Sequence, residues 1–170
     1  VAKASAYWLV NNYRDAYGLF ACTGILFNHE SPLRPERFVT QKIIQAVKRI
    51  SEGSAEKLKL GRLDIARDWG WAPEYVEAMW RMLQVDEPND YVVATGTDYS
   101  VKDFLGFAFD RAGLDWEKYV KFDERYLRPT EVDALVGDAS RAKDLLGWTP
   151  KVLTPELAQI MVDADISALE

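Results

Sequence analysis

The chain has 170 residues and a formal net charge of −6, and 48% of its residues are hydrophobic. This composition is typical of a soluble globular protein and argues against disorder and against a nucleic-acid partner. No apolar run approaches the roughly 20 residues that span a bilayer, so we expect no membrane partner. One cysteine, Cys22, and one histidine, His29, argue against an internal disulfide and a metal site, and they favour a cytoplasmic location.

The first half of the chain predicts alternating helices and strands. Helix-forming residues run to Gly18, without a residue that could cap the start, so we expect this helix to begin upstream of Val1. LFACTGILF (19–27) predicts a buried strand of a parallel sheet, and the polar segment 28–37 predicts a loop. Residues 37–53 predict an amphipathic helix, and KLKLG (57–61) predicts a short strand.

The second half continues the alternation. RDWG (67–70) predicts a turn before a helix that ends near residue 84, and DYVVATG (90–96) predicts a strand. Ser100 is expected to cap a helix that ends at Gly113, and YVKFD (119–123) predicts another strand. An irregular segment and two final helices follow, with Asp138 or Ser140 and Thr154 as expected caps. The pattern indicates an α/β fold, and no glycine-rich dinucleotide or Walker motif is present.

Polar residues follow the predicted strand 19–27, at the position where open α/β sheets bind ligands. Asn28, His29 and Arg34 supply an amide, an imidazole and a guanidinium. These groups suit recognition of a phosphate or a carboxamide. The alternative interpretation is a polar turn with a solvated arginine.

Three further basic residues, Lys42, Arg67 and Arg128, each lie in mostly apolar or uncharged surroundings. Together they could bind a diphosphate, while Glu131 accepts hydrogen bonds from ribose hydroxyls. The alternative is a set of surface charges, in which Arg67 pairs with Asp68 and Arg128 pairs with Glu131.

The remaining candidates are a lysine and several aromatic residues. Lys3 is either a solvated surface group or an ammonium that lowers the pKa of a nearby phenol and binds a sugar hydroxyl. Trp69 and Trp71 either stack on a base or a sugar, or pack in the core. The aromatic residues of the first helix either face a second subunit or lie in the core.

The segments FNHESP (27–32), FVTQKI (38–43), RDWG (67–70) and RPTEVD (128–133) closely resemble the GDP-mannose 4,6-dehydratase family of extended short-chain dehydrogenases/reductases. The resemblance implies the C-terminal part of an extended Rossmann-like fold. Residues 1–28 would be the last helix and strand of the dinucleotide-binding domain. Residues 29–170 would be mainly the smaller mixed α/β domain that binds the nucleotide-sugar.

The resemblance also implies an activity and roles for individual residues. The family removes hydride from C4 of GDP-mannose, eliminates water across C5–C6 and returns hydride to C6, with NADP as cofactor. Lys3 would be catalytic and bind the cofactor together with His29 and Arg34. The substrate would be held by a further set: Asn28, Lys42, Arg67, Arg128 and Glu131.

The resemblance leaves other features as expectations. The catalytic Tyr, Thr and Glu and the dinucleotide motif would lie upstream of Val1, so we expect these 170 residues alone to be inactive. A homo-oligomer, dimer or tetramer, would form through the first helix. Pro35 departs from the family pattern, which places in question the contact of Arg34 with the cofactor.

Two alternatives to the dehydratase remain open. A reductase of GDP-4-keto-6-deoxymannose would use the same nucleotide site. A non-catalytic nucleotide-sugar binding module would need only the residues that hold the substrate.

Overall fold

The structure is a computed structural model that describes residues 1–127 and 129–167. Helices and short strands alternate along this part of the chain, as expected for an α/β protein. The helices are α1 (Ala2–Tyr17), α2 (Val39–Ser51), α3 (Ala72–Met82), α4 (Val101–Arg111), α5 (Ser140–Leu146) and α6 (Thr154–Ser167). The strands are β1 (Thr23–Leu26), β2 (Asn28–Glu30), β3 (Leu58–Leu60), β4 (Ala66–Arg67), β5 (Trp69–Trp71), β6 (Asp90–Val93), β7 (Tyr99–Ser100), β8 (Val120–Phe122) and β9 (Ala134–Leu135).

Most of the strand pairs are parallel. β1 pairs with β6, β2 with β5, and β3 with β8, each in parallel. β4 lies between antiparallel β7 and parallel β9. The predicted parallel strand at 19–27 is confirmed as β1, but its predicted burial is wrong, because Ile25 is 43% exposed.

Two segments predicted to be a loop and a turn contain strands instead. Residues 28–37 begin with β2, and RDWG contributes the end of β4 and the start of β5. Asn28 lies opposite Trp69, and His29 lies opposite Gly70. The pairing joins residues about forty positions apart, so the secondary structure of these two segments depends on this long-range contact and not on local turn propensity.

The buried side chains form two clusters. The larger joins the apolar faces of α2, α4 and α6 with Trp69, Leu58 and Leu60. The smaller packs α3 and α5 around β6, with Tyr75, Tyr91 and Trp148 at its centre. The structure thus assigns Trp69, which is 2% exposed, mainly to the core.

The predicted helix ends are partly confirmed. Gly18 ends α1 at φ 63°, and Ser100 caps α4 in a capping box with Asp103. The prediction for Thr154 as a cap is wrong, because Thr154 is itself the first residue of α6. Its buried hydroxyl donates to the carbonyl of Trp69 over 3.2 Å. The prediction that Asp138 or Ser140 caps α5 is also wrong, because the N-cap is Ala139 and no side chain among the described residues caps the helix; Asp138 accepts from the backbone N–H of Ser140 in the preceding turn.

Helix α1 has no buried residue, and its Arg14 forms an ion pair with Asp90 at the start of β6. Both terminal nitrogens of the Arg14 guanidinium bind the Asp90 carboxylate, at 3.0 and 2.9 Å. The backbone N–H of Thr23 donates to the same carboxylate over 3.2 Å. Burial alone would raise the pKa of Asp90, but these hydrogen bonds outweigh it and lower the pKa to about 2.

We expect Asp90→Asn to lower the free energy of unfolding near pH 7 by about 2 kcal/mol, the size of a hydrogen bond to a charged group. Because the folded-state pKa lies below the ordinary 3.8, this stabilisation is present above pH 3.8. It is lost as the pH falls from 3.8 to about 2. Urea unfolding at several pH values measures the difference, with exposed Asp110→Asn as the matched control. A difference that persists unchanged at low pH would contradict this account.

Candidate functional site

A cavity of about 940 Å³ lies where β2, β4 and the start of α2 meet the segment 126–135. It contains most of the residues predicted to bind ligand: Asn28, Arg34, Lys42, Arg67 and Glu131. The parallel pairing of β4 with β9 brings the segment that contains Glu131 to the side of Arg67. The wall also includes the side chains of Trp69, Phe38 and Tyr126.

The cavity is basic although the chain as a whole is acidic. Its described lining includes five cationic side chains, those of Arg34, Arg37, Lys42, Arg62 and Arg67. Only two carboxylates accompany them, those of Glu30 and Glu131. The cationic side chains outnumber the carboxylates, and a concave surface concentrates its field, so this cavity favours an anionic ligand.

The Arg67 guanidinium is held in place by three hydrogen bonds. It donates to the carbonyls of Ala66 and Val132 at 2.6 and 2.7 Å, and to Glu131 Oε1 at 2.6 Å. The two side chains of the ion pair are only 13% and 14% exposed. The alternative pairing of Arg67 with Asp68 is therefore wrong.

Lys42 approaches the cavity from the first turn of α2. Its ammonium donates to the carbonyl of Lys59 over 2.7 Å and lies 3.6 Å from the centre of the Tyr126 ring. The cation–π contact and the hydrogen bond hold the ammonium at the cavity wall. A positive charge fixed in this way is available to a phosphate without a large loss of side-chain entropy.

Glu30 is a buried carboxylate that the sequence analysis did not select. Thr40 Oγ1 donates to Glu30 Oε2 over 2.6 Å, and Arg34 Nε lies 3.3 Å from the same oxygen. Burial raises the pKa of Glu30, against the opposing effects of Thr40 and Arg34. Arg34 Cζ also lies 3.7 Å from the centre of the Phe38 ring, and the side chain is only 21% exposed, so the solvated-arginine interpretation is wrong. Glu30 could have been found from its position two residues after Asn28, because residues i and i+2 of a strand point to the same face. Assigning this segment to a loop removed that signal.

His29 lies on the opposite face of β2 from the cavity. Its Nδ1 is 2.9 Å from the carbonyl oxygen of Phe27, and its ring stacks on Tyr75 with centroids 5.1 Å apart. Successive side chains of a strand alternate in direction, so Asn28 and Glu30 reach the cavity and His29 does not. His29 and Arg34, predicted together as cofactor contacts, therefore lie on different faces.

Of the residues predicted to bind ligand, Lys3 lies apart from the cavity and Arg128 is not among the described residues. Lys3 is exposed near the start of α1, and its ammonium forms no hydrogen bond or ion pair within residues 1–127 and 129–167. Arg128 lies outside the described residues. Within the described part of the chain, no helix is long and apolar enough to span a bilayer, and no cluster of three metal-ligating side chains occurs.

Comparison with known proteins defines the family. A family model described as GDP-mannose 4,6 dehydratase matches residues 1–161. The chain belongs to this family. GDP-mannose 4,6 dehydratase 1 of Arabidopsis thaliana is 56% identical over 97% of this chain, and the human GDP-mannose 4,6 dehydratase is 48% identical over 99%. This member of the GDP-mannose 4,6 dehydratase family spans 46% and 50%, respectively, of those two relatives.

Solved structures share the fold of this family member. RMD from Pseudomonas aeruginosa, complexed with NADPH, superposes with a TM-score of 0.88 at 22% identity. It covers 98% of this chain, which corresponds to 55% of RMD. The dTDP-glucose 4,6-dehydratase of Bacillus anthracis, in complex with NAD, gives a TM-score of 0.81 at 18% identity over 95% of this chain and 49% of its own. These likenesses confirm the predicted α/β, Rossmann-like fold class.

Proposed function

We propose that this chain supplies the nucleotide-sugar binding part of an NADP-dependent GDP-mannose 4,6-dehydratase. The observation that carries the proposal is the basic cavity, which brings Lys42, Arg67 and Glu131 together in an acidic chain. Its positive charges suit the diphosphate of GDP-mannose, and Glu131 suits ribose hydroxyls. Membership of the family supports the choice of the sugar nucleotide over other anions.

The proposed roles separate the residues that bind the substrate from those that bind the cofactor. Asn28, Lys42, Arg67 and Glu131, with Arg128, would hold the GDP-sugar, and Arg34 at the cavity edge would reach the cofactor. His29 and Lys3 would also contact NADP, since both have polar atoms without a partner in the described chain. When bound, NADP supplies the hydride acceptor for C4 and the donor for C6. Residues 1–28 would then belong to the dinucleotide-binding domain and residues 29–170 mainly to the substrate domain.

The experiment that tests this proposal incubates the full-length protein with GDP-mannose and NADP⁺ and follows the products by mass spectrometry. We expect a nucleotide-sugar that is lighter by one water, with no net consumption of cofactor, because hydride removed at C4 returns to C6. Binding of GDP-mannose without a product would contradict the dehydratase and favour a binding module. Consumption of NADPH with a 4-keto-6-deoxy substrate would favour the reductase.

We also propose that α1 contacts a second copy of the chain and that the protein is cytoplasmic. Trp8 is 68% exposed in this chain, and Leu9 and Tyr13 are also exposed. An exposed apolar surface of this kind is typical of an interface. A monomeric mass of the full-length protein in solution would contradict the oligomer.

A further inference from the structure

Gly70, between Trp69 and Trp71, lies against the ring of the buried Tyr75, which leaves no room for a larger residue. A Cβ atom at Gly70 would lie 2.3 Å from Tyr75 Cε2, well inside van der Waals contact. Tyr75 is completely buried and packs edge-to-face against Trp148, with centroids 5.9 Å apart. Gly70 thus leaves room for the Tyr75 ring directly behind β2 and β5.

The space that Gly70 leaves places Tyr75 against His29. Gly70 is the register partner of His29 in the β2–β5 pair, and the His29 and Tyr75 rings stack at an interplanar angle of 29°. Stacked rings at this separation attract each other and restrict rotation. The Tyr75 hydroxyl is buried and forms no hydrogen bond with any described residue, so the tyrosine acts on His29 through its ring.

The second contact of His29 determines where its proton lies. Nδ1 is 2.9 Å from the carbonyl oxygen of Phe27, and a carbonyl oxygen only accepts hydrogen bonds. Nδ1 must therefore carry hydrogen. In the neutral imidazole this leaves Nε2 with a lone pair, and Nε2 forms no hydrogen bond with any residue in the described ranges.

We propose that Gly70 and Tyr75 are positioning residues that hold the neutral His29 ring with its proton on Nδ1, so that Nε2 accepts a hydrogen bond from the cofactor. This inference rests on the proposed function, in which His29 contacts NADP. The recognised group is then a hydrogen-bond donor, a ribose hydroxyl or the carboxamide N–H of nicotinamide. A phosphate is excluded for the neutral ring, because its oxygens would face the Nε2 lone pair.

The test is nitrogen NMR of the full-length protein labelled with ¹⁵N-histidine, at about pH 8, where the neutral form of histidine prevails. The His29 signals are those that disappear in His29→Phe. We expect a protonated Nδ1 and an unprotonated Nε2 without cofactor, and a shift of Nε2 alone when NADP⁺ is added. A ring protonated on Nε2, or one that gains a second proton on NADP⁺ binding, would overturn the proposal.

Matched variants separate positioning from folding. Tyr75→Phe keeps the ring and should keep the Nδ1–H tautomer, whereas Tyr75→Leu should give a mixture of tautomers and weaken NADP⁺ binding. Tyr119→Leu removes an aromatic ring from the other core cluster and controls for a general loss of stability. An unchanged tautomer in folded Tyr75→Leu would overturn the positioning role.

A final variant separates this inference from the proposed function. His29→Phe keeps the stacking but removes the acceptor, and it should weaken NADP⁺ binding about 3- to 10-fold, as expected for one neutral hydrogen bond. If the unaltered protein does not bind NADP⁺, the proposed function fails, while the tautomer of the free protein still tests the positioning. If NADP⁺ binds equally well to His29→Phe, the contact proposed for Nε2 is wrong.

Discussion

Arg67→Ala is expected to weaken binding of GDP-mannose to the full-length protein about 100-fold, the effect of losing one or two charge-assisted hydrogen bonds. The guanidinium lies in the wall of the basic cavity and is held there by the carbonyls of Ala66 and Val132. Because the protein has already fixed its orientation, little entropy is lost when a diphosphate binds. Calorimetric titration with GDP-mannose measures the change.

The same reasoning predicts which part of the ligand is affected. GDP should lose as much affinity as GDP-mannose, whereas NADP⁺ binding should change by no more than about 2-fold, since Arg67 is assigned to the substrate and not to the cofactor. Arg67→Lys keeps the charge but loses the planar fork, and it should recover only part of the affinity.

A matched arginine tests whether the effect is local. Arg111 forms an exposed ion pair with Asp163 and does not line the cavity. We expect Arg111→Ala to leave the affinity for GDP-mannose unchanged. Equal losses for GDP-mannose and NADP⁺ in Arg67→Ala would instead indicate a folding defect and contradict the assignment of Arg67 to the substrate.

Elements with a strong local signal were predictable from the sequence. Helix α2 follows from apolar spacing, and the ends of α1 and α4 follow from Gly18 and Ser100. The signals are local because helix caps depend on residues three or four positions away. The grouping of Lys42, Arg67 and Glu131 was anticipated from residue type, and the structure places all three at one cavity.

The short strands were not predictable in the same way. β2 and β5 have three residues each, and each is stabilised by pairing with the other, which lies about forty residues away in the sequence. Glu30 is buried beside Thr40, whose hydroxyl donates to it, and a loop assignment for residues 28–37 gives no sign of this contact. For the same reason the separation of His29 from Arg34 could not be inferred from a segment assigned to a loop.

Asp68 does not form a surface ion pair with Arg67, although the two are adjacent in the sequence. Its side chain instead joins three segments of the fold. The carboxylate is only 1% exposed. Its Oδ1 accepts from the backbone N–H and the hydroxyl of Thr95, at 2.8 and 2.7 Å. Its Oδ2 accepts from the backbone N–H groups of Gly96 and Gly137, at 2.9 and 3.2 Å. One side chain therefore connects the β4–β5 junction to the turn after β6 and to the segment before α5.

We expect Asp68→Ala to lower the free energy of unfolding by about 4 kcal/mol, because three backbone N–H groups lose their acceptor in a largely buried site. The melting temperature falls with the free energy of unfolding. Thermal unfolding of the full-length protein measures it. Exposed Asp110→Ala, with no side-chain hydrogen bond in the described chain, should change the free energy by less than about 0.5 kcal/mol.

Asp68→Asn separates the contribution of the two acceptor oxygens from that of side-chain size. An asparagine side chain has the same size but only one acceptor oxygen, so its NH₂ group must face at least one N–H donor, whichever way the amide is turned. The least costly orientation places the oxygen toward Gly96 and Gly137 and the NH₂ group toward Thr95. We therefore expect asparagine to restore no more than about half of the stability lost in Asp68→Ala. If the Asp68→Asn variant is as stable as the original protein, one acceptor is enough and the second carboxylate oxygen contributes little to this junction.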